Sequence, residues 1–331
     1  MPVITSTYNP PHFFRNGHFS TIYAALLRQV NGILQERERI FTPDDDFIDL
    51  DWSYAKAKTR KLAIVLHGLE GNAQRPYALG SAKIFNQSGY DAVCVNYRSC
   101  SGEPNKQYRS YHSGETGDLE FITHHIIEKY QYDTVILNGF SLGGNLALKY
   151  LGQHHPIPKE IKAAIAVSVP CHLYGSMLEI HKTKNYLYAK RFKKNLIEKL
   201  RQKQQSFPNK ISKTDIKKIV TLKDFDDCYT SQAHGFKDAL DYYEKSSSLP
   251  FLQAINVPTL IINAKNDSFL SDKCYPFQKV EKNQNLYLEV PEYGGHVGFY
   301  DKNNVYYTEK RAIEFLKELV PHSSPQTKKA L

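Results

Sequence analysis

Cysteine is scarce in this 331-residue chain, and what there is does not pair up. Cys94, Cys100, Cys171, Cys228 and Cys274 are odd in number, scattered, and form no Cys-x-x-Cys. Neither a disulfide framework nor a zinc site is indicated by that pattern. No apolar run approaches the ~20 residues of a membrane span. The opening residues Met1-Pro2-Val3-Ile4-Thr5-Ser6 offer neither the basic nor the apolar stretch of a secretory leader, so a cytoplasmic protein is expected. Internal repeats are absent. Glycine and serine gather at 99–102 and around Gly114, but no Gly-Lys-Ser/Thr follows, which argues against a phosphate-binding loop. The pairs His124-His125 and His154-His155 lack metal-ligand spacing and read as solvated helix faces. No metal and no cofactor are expected.

Apolar residues make up 41% of the chain and charged residues 23%, the ordinary mixture of a soluble globular protein with length enough for a substantial core. The net charge of +9 is unevenly placed. Thirteen Lys/Arg lie between Lys182 and Lys218 against Glu198 and Asp215, a local net of +11, so the remainder carries about −2 (9 minus 11). Basicity confined to one segment weakens the case for a nucleic-acid binder, and nucleic acid is not an expected partner.

Hydrophobic periodicity orders the rest. Residues 1–36 read as irregular and then helical from 19 to 35. Apolar/polar alternation in Phe47-Ile48-Asp49-Leu50-Asp51-Trp52, with an extended run at 37–41 before it, predicts an antiparallel edge hairpin. Continuous apolar runs at 62–66, 91–97, 134–140 and 161–169 predict strands buried on both faces. Helices are expected between them at 76–87 and 114–130, and after Ser141. The resulting β-α-β-α-β-α-β order predicts an α/β fold, a mostly parallel sheet flanked by helices. Residues 171–250 are helical, basic and poor in strand signal, and read as a cap inserted into a single domain spanning 1–320. Strand and helix then alternate again: 257–263, 272–281, 286–290 and 305–319. The Ser/Pro/Lys-rich tail 321–331 is expected to be disordered.

The chain is organised around Val135-Ile136-Leu137-Asn138-Gly139-Phe140-Ser141-Leu142-Gly143-Gly144-Asn145-Leu146-Ala147. A β-branched run enters a Gly-x-Ser-x-Gly turn and an Ala/Leu-rich helix leaves it, the context of a nucleophile elbow. A serine hydroxyl needs a base to take its proton, and the base needs an acid to orient it. On such a sheet the partners follow in the order Ser, Asp/Glu, His, each after a strand. Asp267 lies in Ala264-Lys265-Asn266-Asp267-Ser268-Phe269, and His296 ends Pro291-Glu292-Tyr293-Gly294-Gly295-His296. Ser141, Asp267 and His296 are therefore the candidate catalytic residues. For the oxyanion, the N–H of Leu142 is one candidate donor. The second is expected in the loop His67-Gly68-Leu69-Glu70-Gly71, where Leu69 is the candidate and Glu70 its neighbouring alternative. His67 reads as a brace for that loop rather than a proton carrier.

Gly139-Phe140-Ser141-Leu142-Gly143-Gly144-Asn145, His67-Gly68-Leu69-Glu70-Gly71 and Asn96-Tyr97-Arg98-Ser99-Cys100-Ser101-Gly102-Glu103-Pro104-Asn105 resemble the YheT-like branch of the α/β-hydrolases. Tyr111-His112-Ser113-Gly114-Glu115-Thr116 and the stretch from Asp226 to Asp267 add to the resemblance, which covers roughly residues 10–320. It implies a Ser–Asp–His hydrolase of carboxylic esters, a small-molecule substrate with lipid-like acyl chains. Two rivals stay open: an acyltransferase using the same acyl-enzyme, and a non-catalytic binding protein on the same fold. Within the basic insertion, Tyr186, Ala189, Phe192 or Lys193, Leu196, Ile197 and Leu200 recur at helical spacing. One account is a solvated helix laying an apolar stripe on the catalytic domain. The other is a lid that borders the acyl pocket and turns its cations to anionic membrane surfaces.

Overall fold

Alternate residues of the strand Lys61–Leu66 feed two different cores. Leu62, Ile64 and Leu66 pack among Leu119, Ile122, Ile126 and Leu146, whereas Ala63 and Val65 pack among Ala78, Ala82, Phe85 and Phe315. A strand apolar on both faces must be covered on both, and each fully buried side chain of this size contributes about 1.5–3 kcal/mol. The computed structural model describes residues 2–153 and 156–319. His154, His155 and the tail expected to be disordered lie outside them.

Nine strands form one sheet: β1 (Val3–Ile4), β2 (Glu36–Thr42), β3 (Asp46–Ser53), β4 (Lys61–Leu66), β5 (Asp91–Asn96), β6 (Thr134–Phe140), β7 (Ile161–Val167), β8 (Thr259–Ile262) and β9 (Leu286–Glu289). Their order is β1-β9-β8-β7-β6-β4-β5-β3-β2. Pairing is parallel from β1 to β5, and antiparallel where β3 meets β5 and β2 meets β3. The helices that concern the site are α1 (Gly17–Ile22), α2 (Pro76–Gln87), α3 (Thr116–Tyr130), α4 (Leu142–Gly152), α5 (Leu173–Ile180) and α6 (Tyr186–Ser206). Described elements between β7 and β8 are all helical.

Three local expectations differ from the fold. The helix foreseen over 19–35 is α1 followed by a π-turn at Tyr23–Leu27, and the chain leaves it at Arg28. There the guanidinium is buried, 2.7 Å from Glu309 and stacked 3.6 Å from the Tyr306 ring centroid. Docking a buried charge on its partner outweighs one more helical turn, because an unpaired one costs about 3–5 kcal/mol. The helix foreseen over 272–281 is split into a 3-10 turn, Asp272–Cys274, and an α-turn, Phe277–Glu281, with Pro276 between. Finally, β3 pairs in the expected hairpin, but it is buried on both faces. Its acidic face is covered by forked contacts from Arg39 to Asp49 (2.8 and 2.9 Å) and from Arg37 to Asp51 (2.7 and 2.9 Å). Alternation marks two chemically different faces; it does not say that the polar one is wet.

Candidate active site

Between β6 and α4 the chain turns at Ser141, whose backbone sits at φ +53° and ψ −117°. A side-chain-bearing residue there is strained, and the surrounding packing must enforce it. A Cβ on Gly139 would collide with the Gly143 carbonyl, and one on Gly143 with the Leu66 carbonyl. Only glycine lets β6, the turn and α4 approach so closely.

The loops after β8 and β9 bring the other two candidates to this turn. His296 Nε2 lies 2.9 Å from Ser141 Oγ, and its Nδ1 lies 2.8 Å from Asp267 Oδ2. A carboxylate only accepts, so Nδ1–H donates to Asp267 and Nε2 is left to accept the serine hydroxyl. Asp267 is fully buried, and its Oδ1 accepts the Phe269 N–H at 2.9 Å. Phe269 in turn lies against the imidazole, with ring centroids 4.3 Å apart. The backbone N–H of His296 donates to Thr21 Oγ1 at 2.8 Å, and that of Val297 to Ser168 Oγ at 2.9 Å. Thr21 belongs to α1, so the N-terminal segment holds the histidine loop. Nothing in the sequence marked Thr21, because its partner is 275 residues away.

The loop after β4 lies against the serine: a Cβ on Gly68 would stand 3.2 Å from Ser141 Cβ. From Gly68 to Gly71, three of the four N–H groups are engaged, that of Gly71 by the Gly68 carbonyl at 3.0 Å. The Gly68 N–H donates to Tyr77 Oη (3.0 Å), and the Glu70 N–H to Tyr111 Oη (2.8 Å). Among the described residues, the N–H groups of Leu69 and Leu142 have no acceptor. Of the two candidates in this loop, the Glu70 N–H is engaged and the Leu69 N–H is not. His67 is the brace expected of it. The Tyr97 N–H donates to its Nε2, so Nδ1–H donates to the Gly68 carbonyl at 2.8 Å. In a trans peptide the carbonyl and the following N–H point opposite ways. Holding Gly68 O thus aims the Leu69 N–H. Burial pushes the His67 pKa down to about 3, against the pull of the Gly68 bond, so the ring is neutral at pH 7.

Above Ser141 is a cavity of about 620 Å³ lined by Leu69, Leu142, Met177, Phe225 and Phe269, among others. Of the apolar stripe read from the sequence, Phe192, Leu196 and Leu200 of α6 line this cavity. Ile197 packs instead with Ile211, Ile216 and Ile219, and Tyr186 is exposed.

One cluster near the cavity wall has metal-binding residue types, His112, Glu115 and His234. Its chemistry does not suit a cation. The Gly114 N–H donates to His112 Nδ1 (3.1 Å), which leaves the ring proton on Nε2, 3.3 Å from Glu115. Arg109 approaches the same carboxylate at 3.3 Å. Burial would raise the Glu115 pKa, but the hydrogen bond from His112 and the nearby charge of Arg109 pull it down to about 2. The carboxylate already has its cation.

Comparison with known proteins agrees with this architecture. Residues 63–303 match the family model described as alpha/beta hydrolase fold. YheT of Escherichia coli, named as an esterase, is 34% identical over 300 residues, covering 89% of this chain and 87% of that one. Human phospholipase ABHD3 is 27% identical, with 97% and 81% covered. Monoacylglycerol lipase of Saccharomyces cerevisiae is 27% identical over 87% of this chain and 64% of its own. Among solved structures, the Pyrococcus furiosus esterase Pf2001 superposes with a TM-score of 0.58 at 17% identity, covering 88% and 96%, a likeness of fold. A match running from β4 to beyond β9, with a third of residues shared with YheT along most of the chain, places this protein in the α/β-hydrolase family, on its YheT-like branch.

Proposed function

We propose that this carboxylic ester hydrolase works through an acyl-enzyme on Ser141. The observation that carries the reading is the hydrogen-bonded chain Asp267–His296–Ser141, at 2.8 and 2.9 Å, on the floor of an apolar cavity. Ser141 Oγ attacks the ester carbonyl carbon while His296 Nε2 takes its proton. The oxyanion forms between the N–H groups of Leu69 and Leu142, at the N-terminus of α4, where positive peptide ends meet negative charge. Collapse breaks the ester C–O bond, and His296 returns the proton to the departing alkoxide. Water, deprotonated by the same imidazole, then cleaves the acyl-enzyme. Asp267 stays ionised and stabilises the imidazolium.

The substrate class we read as esters with extended acyl chains. The names of ABHD3 and the yeast lipase speak of lipid esters, and the cavity here offers a chain an apolar bed. We read residues up to 319 as one domain, with the helical stretch 171–250 as its cap. A serine-directed fluorophosphonate should label the protein, and kcat/KM over p-nitrophenyl esters should rise from acetate upward. The gain should be up to about fourfold per methylene while the chain stays within the cavity, from ~0.8 kcal/mol each. A profile flat in chain length would remove the acyl-bed reading, and absence of labelling would remove the nucleophile.

A specific observation also favours contact with an anionic membrane surface. The cavity is bordered by exposed apolar side chains, Leu26 (59% exposed) from the N-terminal segment and Leu187 (74%) from α6, beside exposed Lys184 and Arg191. No described helix is long and apolar enough to cross a membrane. An apolar rim with a cationic collar suits shallow docking, each basic residue adding on the order of 1 kcal/mol near an anionic bilayer. Co-sedimentation should therefore show binding to anionic vesicles, lost at high salt and on changing Lys190, Arg191, Lys193 and Lys194 to Gln. Equal partition to neutral and anionic vesicles, or none to either, would leave α6 as a plain cover.

A further inference from the structure

From helix α6 the side chain of Lys199 reaches the oxyanion loop. Lys199 Nζ lies 3.0 Å from Glu70 Oε1 and 3.4 Å from Cys100 Sγ. Glu70 is buried, and its backbone is held at φ +54°, a region that residues with side chains avoid. Its polar groups are engaged on every side. The N–H donates to Tyr111 Oη at 2.8 Å, and the carbonyl accepts Arg75 Nη2 at 2.7 Å. The carboxylate accepts the Tyr111 hydroxyl at 2.8 Å as well as Lys199. Burial opposes the Lys199 charge, but Cys100 and Glu70 outweigh it and hold the pKa above its ordinary value.

These contacts form a relay. Leu69 sits between two peptide planes, and the plane on its N-terminal side is aimed by His67 through the Gly68 carbonyl. The plane on its C-terminal side is pinned by Tyr111 through the Glu70 N–H. Tyr111 can accept that N–H in a fixed place only while its own hydroxyl is tied to the Glu70 carboxylate, which Lys199 neutralises. The same pair also divides two spaces. Glu70, Ser99 and Lys199 line both the 620 Å³ cavity and a second one of about 340 Å³. Removing the lysine side chain thins that wall and exposes the loop to water.

We propose that Lys199 is a positioning residue: by clamping Glu70 it makes the aim of the Leu69 N–H depend on α6 being seated over the site. The proposal rests on Ser141 being the nucleophile and Leu69 an oxyanion donor. It assigns α6 a part in the chemical step, beyond covering the acyl chain.

The test uses p-nitrophenyl acetate, whose acyl group is too short to need α6, and the matching thionoester, whose developing sulfur anion depends less on the oxyanion donors. Lys199→Met should lower kcat for the oxygen ester by roughly tenfold or more, with KM within about twofold. The ester-to-thionoester rate ratio should fall with it, and Lys199→Arg should recover most of the loss. Lys199→Met combined with Glu70→Gln should lose little more than either alone, since both break one relay. Tyr111→Phe cuts the same relay and stands in should Lys199→Met fail to fold. A wild-type kcat in Lys199→Met, or a loss that leaves the ester-to-thionoester ratio unchanged, overturns the clamp. Ser141→Ala tells the two readings apart. If it stays active, the nucleophile is wrong; if it is dead while Lys199→Met is at wild-type kcat, only the clamp is wrong.

Discussion

Ser141→Ala should abolish ester hydrolysis and leave the fold standing. The backbone strain at φ +53° belongs to any residue with a Cβ, so alanine inherits it and gains no new clash. The hydroxyl is the one group removed, and its listener is His296, 2.9 Å away at the floor of an open cavity where water can replace it. Loss of a nucleophile of this kind costs on the order of 10⁴–10⁶ in kcat, with a residue of rate supplied by the oxyanion donors and binding alone. Turnover of a short-chain p-nitrophenyl ester, labelling by a fluorophosphonate and thermal unfolding together measure this. Tm should move by only a few degrees while both activities vanish. A variant that still labels and turns over near the wild-type rate would mean that another residue carries the chemistry.

His296→Ala should be nearly as damaging, because serine without its base is an ordinary alcohol, and the double variant with Ser141→Ala should be no worse than either single one. Asp267→Asn should also cost a large factor, about 10⁴ where an acid of this type sets the tautomer of its histidine. The amide would present an N–H or a weaker acceptor to Nδ1, and the ring would lose the arrangement that leaves Nε2 free to accept. Two rival carboxylates give the control. Glu289 is tied to Arg311 at 2.9 Å and to the Ser6 hydroxyl at 2.7 Å, and Glu292 lies on the surface beside Lys265. Glu289→Gln should therefore lower stability with kcat retained, and Glu292→Gln should do little. If either removes activity while Asp267→Asn is silent, the acid has been misassigned.

Much of the site could be read before folding because its demands are local. A serine at a strained turn requires glycines two residues to either side, and Gly139 and Gly143 are there whatever the rest of the chain does. The strands carrying Ser141 and the oxyanion loop are continuous apolar runs, which only a sheet covered on both faces can use. The order Ser141, Asp267, His296 follows from partners that sit at successive strand ends. Elements whose form is set by distant partners could not be read in this way. Arg28 ends the N-terminal helix because Glu309 and Tyr306 wait for it, and the acidic face of β3 is buried because Arg37 and Arg39 cover it.

The sequence alone therefore specifies the fold class, the glycine-flanked turn at Ser141 and the candidates Asp267 and His296, since each is signalled within a few residues of itself. Folding decides which peptide N–H is free to meet an oxyanion. Leu69 and Glu70 are neighbours in the chain, and only the position of the Tyr111 hydroxyl, about forty residues on, engages one and leaves the other open. Folding also decides that Thr21 holds the histidine loop and that Lys199 reaches Glu70 from α6. These are contacts between segments far apart in the chain, and no periodicity or local motif encodes where two such segments will meet.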